Sequence, residues 1–457
     1  MPLALGLDFG TTNSAIAVAD EQGVVLTQFV VPTPGAAVPS PPERGAEKTT
    51  PTFRSVLYFD PEELGPDQRP LSIAGPAAIE HYLLADGQGR LLQSLKSYLA
   101  SHLFKSTAVY GRTYTLEALI GLIARDLRQG ALRQFGPLPP RIVVGRPVRF
   151  AGSRDDDQDD AAALSAQGAK TADSFPLSRL QKALALGGFP QIEFEYEPVA
   201  AAYHYEGRLT RDELVLIADF GGGTSDFCLM RVGPGVRARG RKSSDMLGTE
   251  GVALAGDAFD SRIVRHLLAP LLGQGTHYRS QGKLMPVPPW LYSRLARWHH
   301  LSFLKSRETM QLLSDILRGA EAPDRIAAFI HLIDNDLGYR LYQAVERAKV
   351  ELSQKERSRL VFRDGPLVLD QEVTRPAFEE WIAPELAAIS QAVTQLLQRT
   401  AVTPEQVDAV FVTGGSSLVP AVRRIFGQRF GEDRLRSGGE LTSVASGLAL
   451  RAQDLRS

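Results

Sequence analysis

Residues 3–18 read LALGLDFGTTNSAIAV, and residues 214–230 read LVLIADFGGGTSDFCLM. Each stretch has an apolar run, then Asp-Phe-Gly, then a few small residues rich in Gly, Thr and Ser, and then a second apolar run. Small residues between two strand-like runs predict a β-hairpin. Because each copy opens about half of the chain, the echo predicts a duplicated fold with an equivalent loop in each half.

The rest of the chain alternates between helical and strand-like patterns. Short apolar runs predict strands at 141–145 and 408–413. Helical patterns are found at 114–135, 177–186, 198–205, 257–270, 339–354, 376–399, 417–430 and 441–453. Alternating strands and helices predict an α/β fold. We expect one lobe at residues 1–205 and a second at 206–457, with an inserted region at about 271–338.

Composition limits the classes of function. Lys and Arg number 51 against 52 for Asp and Glu, so a net charge of −1 gives no general attraction to nucleic acid or anionic membranes. We expect no secretory signal at the N-terminus, and no run of the given sequence approaches 18 apolar residues. The single cysteine, Cys228, lies in an apolar run and is expected to be buried. It cannot form an intramolecular disulfide, which fits a cytoplasmic location.

Three segments look like insertions. Residues 31–47 are rich in Pro, Gly and Ala, which predicts a surface loop. The acidic run in 151–174 lacks the glycine and the distal glutamate of a calcium loop, so it indicates a solvated loop. In 271–338, adjacent histidines lack the i, i+4 spacing of a helical metal site, which favours a structural helix. The aromatic and histidine residues there are Trp290, Trp298, His299 and His300.

The two duplicated loops offer a site for phosphate. The chain has no G-x-x-x-x-G-K-[ST] and no G-x-G-x-x-G between a strand and a helix, so neither a P-loop nor a Rossmann site is indicated. Glycine permits close approach of the backbone, and successive N–H groups form an anion-binding nest. The loop residues expected to bind phosphate are Gly10, Thr11, Thr12 and Asn13 in the first copy, and Gly221, Gly222, Gly223 and Thr224 in the second.

Asp8 and Asp219 stand at the ends of apolar strands, directly before the loops. A carboxylate buried there needs a partner. We expect that partner to be Mg²⁺ bridging the phosphates and held through water, because Mg²⁺ usually keeps several of its waters.

Over nearly the whole chain apart from the insertions, the sequence resembles the ATPase domain of the Hsp70 chaperones, within the actin-like ATPase superfamily. LDFGTTNS at 7–14 and DFGGGTSDF at 219–227 resemble the two phosphate loops of the family. EPVAAAYHY at 197–205 resembles its Glu-Pro-x-Ala-Ala-Ala helix, and RLLQSLKSYL at 90–99 the segment with its catalytic lysine. The remaining similar segments are AVERAKVELS at 344–353, which resembles the ribose and adenine helix, and VTGGSSLVP at 412–420, which resembles the adenosine loop.

The resemblance implies a duplicated, two-lobed fold with ATP or ADP in the cleft between the lobes. It implies that Lys96 stabilises charge on the γ-phosphoryl group, and that Glu197 and Asp219 orient the attacking water and the magnesium shell. Phosphoryl transfer depends mainly on such positioning and electrostatic stabilisation. Other implied contacts are those of Thr11 and Thr12 with the β- and γ-phosphates, Thr224 with the γ-phosphate, Glu346 and Lys349 with ribose, Ser353 with adenine, and Gly414, Gly415 and Ser416 with base and sugar.

The sequence departs from the family at two nucleotide positions and at its end. Val350 and Leu418 replace arginines that the family places at the nucleotide, so loss of cation–π contact predicts weaker binding. The chain stops at Ser457 after the helix predicted at 441–453. We therefore expect no peptide-binding domain, as in the truncated bacterial Hsp70-like proteins of the YegD type.

These patterns predict an Hsp70-like protein with slow, Mg²⁺-dependent ATP hydrolysis coupled to lobe closure, and a chaperone-related role. One alternative is a small-molecule kinase on the same fold, with Asp226 as its base. Others are a nucleotide sensor that hydrolyses little ATP and an actin-like filament protein. The insertion at 271–338 is the candidate surface for a protein partner or for self-association.

Overall fold

The structure, a computed structural model, describes residues 3–32, 48–65, 68–85, 88–151, 174–297 and 304–455. The strands are β1 (Ala4–Asp8), β2 (Asn13–Asp20), β3 (Gly23–Leu26), β4 (Phe29–Val30), β5 (Thr49–Thr50), β6 (Phe53–Arg54), β7 (Val56–Leu64), β8 (Pro70–Ala74), β9 (Arg90–Gln93), β10 (Ser106–Val109), β11 (Arg112–Thr115), β12 (Arg141–Arg146), β13 (Gln191–Tyr196), β14 (Glu213–Phe220), β15 (Ser225–Val232), β16 (Met246–Val252), β17 (His277–Ser280), β18 (Lys283–Pro286), β19 (Arg357–Asp364), β20 (Leu367–Thr374), β21 (Ala409–Thr413) and β22 (Leu435–Ser437).

The helices are α1 (Pro76–Leu84), α2 (Leu116–Phe135), α3 (Ser174–Leu186), α4 (Glu197–Glu206), α5 (Pro234–Ala238), α6 (Gly256–Ile263), α7 (Pro289–Ala296), α8 (Arg307–Gly319), α9 (Pro323–Asp334), α10 (Gly338–Gln354), α11 (Arg375–Trp381), α12 (Ala383–Thr400), α13 (Pro420–Phe430) and α14 (Ser443–Asp454).

The two Asp-Phe-Gly motifs open two sheets of the same topology. The first sheet has the order β3-β2-β1-β12-β13, and the second has the order β16-β15-β14-β21-β22. In each sheet the hairpin and its third strand are antiparallel, and the last two strands run parallel to the first. The α/β fold and its internal duplication are therefore confirmed.

The first sheet is covered on both faces. One face packs on α2 and α3 through a large aliphatic core that includes Leu7, Ile16 and Ile123. The other face joins a second core, which contains α4, α14 and buried residues of the second sheet. The lone Cys228 is fully buried in this second core, as predicted, and burial raises the pKa of its thiol.

The helices that follow the fifth strand of each sheet, α4 and α14, cross at very short range. A methyl group added to Gly447 on α14 would lie 1.7 Å from the carbonyl oxygen of Ala200 on α4. Only a residue without a Cβ fits at such a crossing. Helix α14, which the sequence pattern at 441–453 predicts, lies against β1 and β2 of the first sheet.

The chain divides into two compact units. The first comprises Met1–Leu254, Ile389–Ser417 and Arg423–Ser457 and contains both large sheets. The second comprises Ala255–Ala388 and Leu418–Val422, and its hairpins are β17–β18 and β19–β20. The predicted lobes, 1–205 and 206–457, have different boundaries from these units and stay a prediction.

Two of the predicted helices differ from the helices observed. The 257–270 segment is α-helical only to Ile263, then widens into a π-turn at Val264–Leu268 and ends in a 3-10 turn with Pro270 near its start. The 376–399 segment breaks at Ile382, since Pro384 begins the following helix. Proline lacks the N–H that would continue the preceding helix.

Several predictions fall on residues that the structure does not describe. Most of the loops predicted at 31–47 and 151–174 lie outside the described residues, as do Trp298, His299 and His300. Trp290 lies on α7 and is 40% exposed. Within the described ranges, no helix is long and apolar enough to cross a membrane.

Candidate functional site

The first loop, between β1 and β2, is shaped by two buried serines. The backbone N–H of Gly10 donates to Ser14 Oγ at 3.2 Å, and Ser55 Oγ donates to the Gly10 carbonyl at 2.8 Å. The two hydroxyl oxygens lie 2.9 Å apart. The Gly10 amide therefore fixes the shape of the turn, and its predicted contact with a nucleotide stays a prediction.

The second loop, between β14 and β15, closes in a similar way. The Gly221 N–H donates to the Thr224 carbonyl at 3.0 Å, so this amide also shapes the turn. Thr224 Oγ1 donates to Asp226 Oδ2 at 2.7 Å. This bond fixes the orientation of the Thr224 hydroxyl, which the family resemblance assigns to the γ-phosphate.

The adenosine-loop segment touches the second phosphate loop directly. Ser416 Oγ donates to the Gly221 carbonyl at 3.3 Å. Gly414 has a φ of +83°, and a Cβ there would lie 2.1 Å from the Phe220 carbonyl oxygen. Both the left-handed backbone and the close approach require glycine at this position.

The two phosphate loops meet each other and the segment that carries Lys96. A methyl group added to Gly223 would lie 3.4 Å from Thr11 Oγ1 and 3.9 Å from Ser97 Oγ. The structure thus brings the duplicated loops, which are remote in sequence, to one place.

Lys96 lies on a 3-10 turn, Leu95–Tyr98, and is 8% exposed. Its Nζ donates to Glu197 Oε1 at 2.7 Å, and Glu197 is 7% exposed at the first position of α4. Burial acts to lower the pKa of Lys96, but the charges of Glu197 and Asp8 outweigh it and raise that pKa. Lys96 is therefore charged at neutral pH, and the structure brings together the two residues that the family resemblance assigns to the γ-phosphate and the water.

Three aspartates share the surroundings of this pair. Burial, then the charge of Glu197, raises the pKa of Asp8 and of Asp226 to about 7. Burial, followed by the charges of Glu197, Asp8 and Asp226, raises the pKa of Asp219 well above its usual range. Four carboxyl groups thus surround one lysine, and like charges in so small a volume disfavour full ionisation.

This excess of carboxylates fits a hydrated cation. Among the described residues, no group of three or more His, Cys, Asp or Glu side chains is arranged to hold a metal ion. Mg²⁺ commonly binds proteins through one or two carboxylates and several waters. Asp8 and Asp219 are the residues that would hold it in this way.

The residues predicted to bind ribose and adenine lie on α10, in the second unit. Lys349 Nζ donates to Asp260 Oδ2 at 2.7 Å, and Ser353 Oγ donates to the Lys349 carbonyl at 3.2 Å. Burial acts to lower the pKa of Lys349, but the charge and hydrogen bond of Asp260, together with other nearby carboxylates, raise that pKa overall. Glu346 is half-buried on the same helix. Contact of these side chains with a nucleotide stays a prediction.

The two departures from the family lie at exposed positions. Val350 is 51% exposed and Leu418 is 49% exposed. Single apolar side chains half-open to solvent are ordinary on a protein surface, so exposure alone assigns neither of them to a nucleotide.

Sequence reasoning missed part of the site. It assigned Asp226 only to an alternative function, although the residue lies seven positions after Asp219 in the same motif. It also missed Asp260, the ion-pair partner of Lys349. No local pattern joins those two residues, which lie 89 positions apart.

The sequence is similar to those of known proteins. A sequence model described as "Hsp70 protein" matches residues 330–457. A chaperone protein DnaK of Thermus thermophilus is 25% identical over 474 aligned positions, which cover 99% of this chain and 61% of that protein. DnaK of Thermosipho africanus is 24% identical over 456 positions, which cover 98% of this chain and 58% of that protein. The chain therefore spans about three fifths of the length of these relatives.

The family match and the fold point the same way. The matched C-terminal segment contains α10, the adenosine-loop segment and α14. The relatives align across both copies of the Asp-Phe-Gly motif and nearly all of the chain. The C-terminal match and the similarity to DnaK chaperones across nearly the whole chain support an Hsp70-family ATPase domain.

Proposed function

We propose that this chain binds ATP and ADP with Mg²⁺ and hydrolyses ATP slowly, in a chaperone-related role. The observation that carries the proposal is the buried Lys96–Glu197 pair, which lies where the two phosphate loops meet. Similarity to the Hsp70 family supports it, since the relatives are chaperones by name.

The chemistry assigned to the pair follows from charge and position. Lys96 carries a fixed positive charge toward the γ-phosphoryl group, where negative charge spreads in the transition state. Glu197 holds the ammonium group with one oxygen, and its second oxygen is proposed to orient the attacking water. Thr224, which the resemblance assigns to the γ-phosphate, would have to turn its single O–H from Asp226 toward the phosphoryl group when nucleotide binds.

Magnesium would neutralise phosphate charge and organise its own water shell. In the proposal, Asp8 and Asp219 accept hydrogen bonds from those waters. Ionisation of both carboxyls is then favoured, because a nearby cation lowers a carboxyl pKa.

We propose that hydrolysis times a change in conformation, with the two predicted lobes closing around the nucleotide. Closure of two lobes by rotation at a few hinge residues is a common way to assemble a phosphate site. The narrower likeness to YegD-type proteins and the cytoplasmic location belong to the same proposal. The buried Cys228 supports a reducing compartment.

The bonding of Asp226 argues against the kinase alternative. Its Oδ1 accepts from the Val148 N–H at 2.6 Å, and its Oδ2 accepts from Thr224 Oγ1. A general base for an acceptor hydroxyl needs an oxygen within reach of that hydroxyl. Each oxygen of Asp226 is instead already bonded to a group of the protein, which favours a structural role.

The second unit offers the proposed partner surface. Leu284 and Met285 on β18 are 51% and 43% exposed, and Trp290 follows on α7. Exposed apolar side chains close together in sequence favour binding of a protein partner or of a second copy.

The direct test is single-turnover release of phosphate from ATP in Mg²⁺. Lys96→Ala removes the cation but not the phosphate loops. We expect turnover to fall about 10²-fold, with the dissociation constant for ADP changed by less than about threefold.

Lys305→Ala is the matched control, because this lysine pairs with Asp336 at an exposed position in the second unit. It should leave both quantities unchanged. Loss of ADP binding with turnover retained in Lys96→Ala would contradict the proposal, and so would an absence of measurable ATP binding by the unaltered chain.

A further inference from the structure

Arg179, on α3, uses its guanidinium group to hold the segment that directly follows Lys96. Nη1 donates to the carbonyls of Tyr98, Leu99 and Ser101 at 3.2, 3.4 and 3.0 Å, and Nη2 donates to the Phe104 carbonyl at 3.0 Å. Arg179 is 7% exposed. A buried guanidinium that binds four carbonyls of one seven-residue segment fixes the path of that segment.

The guanidinium is itself held from two other sides. Nε donates to Glu117 Oε1 at 2.6 Å, at the start of α2. The ring of Phe175 lies 5.3 Å from the guanidinium carbon. Burial acts to raise the pKa of Glu117, but the hydrogen bond and charge of Arg179, together with local hydrogen bonds, lower that pKa overall. The position of Arg179 is therefore set by the two helices α2 and α3.

A short chain of bonds joins Arg179 to Lys96. The Leu99 carbonyl accepts from Arg179, and the Leu99 N–H donates to the Lys96 carbonyl at 3.1 Å. On the other side of Lys96, Ser94 has a left-handed backbone with a φ of 48°. The left-handed conformation is unfavourable for a residue that has a Cβ, so the surrounding structure must hold the Ser94 backbone in place.

We propose that Arg179 is a positioning residue for ATP hydrolysis, which sets the place of Lys96 by fixing the backbone of residues 98–104. This inference rests on the proposed function of Lys96. Arg179 does not touch the substrate in the proposal. It acts through the 3-10 turn that carries the lysine.

The shape of the side chain makes the inference testable. A guanidinium presents five N–H donors in a rigid plane, whereas a lysine ammonium is a single compact group with three. Arg179→Lys keeps the positive charge beside Glu117 but cannot bind the four carbonyls together. A purely electrostatic or filling role would survive this change, and a positioning role would not.

The experiment combines three measurements on Arg179→Lys and on the unaltered chain. We expect single-turnover ATP hydrolysis to fall at least about tenfold, because small misplacement of a catalytic group costs much of the rate. The dissociation constant for ADP should change by less than about threefold. Hydrogen–deuterium exchange should speed up in peptides covering residues 95–104.

Arg434→Lys is the matched control. The Nη1 of Arg434 also binds three carbonyls, those of Pro404, Glu405 and Val407, at 3.0 to 3.1 Å. That segment carries none of the residues assigned to phosphate or water. The control should speed exchange near 404–407 and leave ATP turnover unchanged.

Glu117→Gln provides a second variant if Arg179→Lys does not fold. Glu117→Gln keeps an acceptor for Arg179 Nε but removes the charge. We therefore expect a smaller fall in turnover, about threefold, again with a nearly unchanged dissociation constant for ADP and faster exchange in residues 95–104. A folded Arg179→Lys, or in its absence Glu117→Gln, with unchanged turnover would overturn the inference. A loss of ADP affinity as large as the loss of turnover would also overturn it.

Lys96→Ala, measured beside these variants, distinguishes a failure of the proposed function from a failure of the role proposed for Arg179. If Lys96→Ala lowers turnover and Arg179→Lys does not, only the inference fails. If Lys96→Ala leaves turnover unchanged, the proposed function fails and the inference fails with it.

Discussion

Asp8 and Asp226 hold their protons more tightly in the folded chain than a free aspartate does. Burial and the charge of Glu197 raise the pKa of each to about 7, from an ordinary value of 3.8. Between about pH 4 and pH 7, the folded state therefore binds more protons than the unfolded state. Linkage then requires that the free energy of unfolding decrease as pH rises through this range.

This predicts that the nucleotide-free chain loses stability from about pH 4 to about pH 7. Where a carboxyl is protonated in the folded state but ionised in the unfolded state, it lowers the free energy of unfolding by up to about 1.4 kcal/mol per pH unit. Asp8→Asn should flatten the dependence, because the amide carries no titratable proton. Urea denaturation at a series of pH values measures the slope.

Asp433→Asn, at an exposed position in the same unit, is the control and should keep the slope of the unaltered chain. A free energy of unfolding that rises steadily with pH in the unaltered chain would contradict the prediction. So would an Asp8→Asn variant with the same slope as the unaltered chain.

The individual residues of the site were predictable to different degrees. Asp8 and Asp219 follow from the strand–loop repeat itself, since each ends an apolar strand before a run of small residues. Lys96 and Glu197 lie 101 positions apart, and no local pattern pairs them. They were assigned only by resemblance to a family, because their contact depends on the tertiary fold.

Among the secondary-structure elements, the two hairpins were easier to predict from sequence than the outer strands of the sheets. The hairpins β1–β2 and β14–β15 were predicted because their signal is local: two apolar runs and a turn of small residues. The third strands, β3 and β16, were not predicted, and neither were β13 and β22. β3 and β16 lie at sheet edges, where partly exposed residues weaken the apolar pattern. Pro270 and Pro384 indicate the helix breaks in the sequence, but the apolar periodicity continues across them and predicted unbroken helices.

The crossing of α4 and α14 yields a prediction at this scale. Gly447→Ala places a Cβ 1.7 Å from the Ala200 carbonyl oxygen, so the two helices must move apart. Because the crossing lies within the core shared by both sheets, we expect a loss of about 2 kcal/mol or more in the free energy of unfolding. Urea denaturation monitored by circular dichroism measures it.

Gly207→Ala is the matched control, at the C-terminal end of α4. A Cβ there meets only the His204 carbonyl oxygen, at 3.6 Å, and the backbone is right-handed. The free energy of unfolding should stay within about 0.5 kcal/mol of the original. Equal stability of the Gly447→Ala and Gly207→Ala variants would show that the helix crossing tolerates a side chain.

At the scale of the whole chain, the residues predicted to bind nucleotide belong to two different compact units. Those assigned to phosphate belong to the first compact unit, and Glu346, Lys349 and Ser353 belong to the second. The sequence predicted the duplication and the α/β class, because both rest on repeated local patterns. It did not predict the unit boundaries, because those depend on long-range packing such as that of α4 and α14 between the two sheets.

Nucleotide should raise the stability of the whole chain in a Mg²⁺-dependent way. Ligand at about 100 times its dissociation constant adds about 2.7 kcal/mol to the free energy of unfolding. We expect ATP and ADP with Mg²⁺ to raise the melting temperature and GTP to raise it less, because the 344–353 and 412–420 segments resemble an adenosine site. EDTA should reduce the shift, because without a cation the phosphates face the carboxyl groups of Asp8 and Asp219. Differential scanning fluorimetry over a nucleotide series measures these shifts. Equal shifts from every nucleotide, or shifts that survive EDTA in full, would exclude an adenosine site built on a hydrated Mg²⁺.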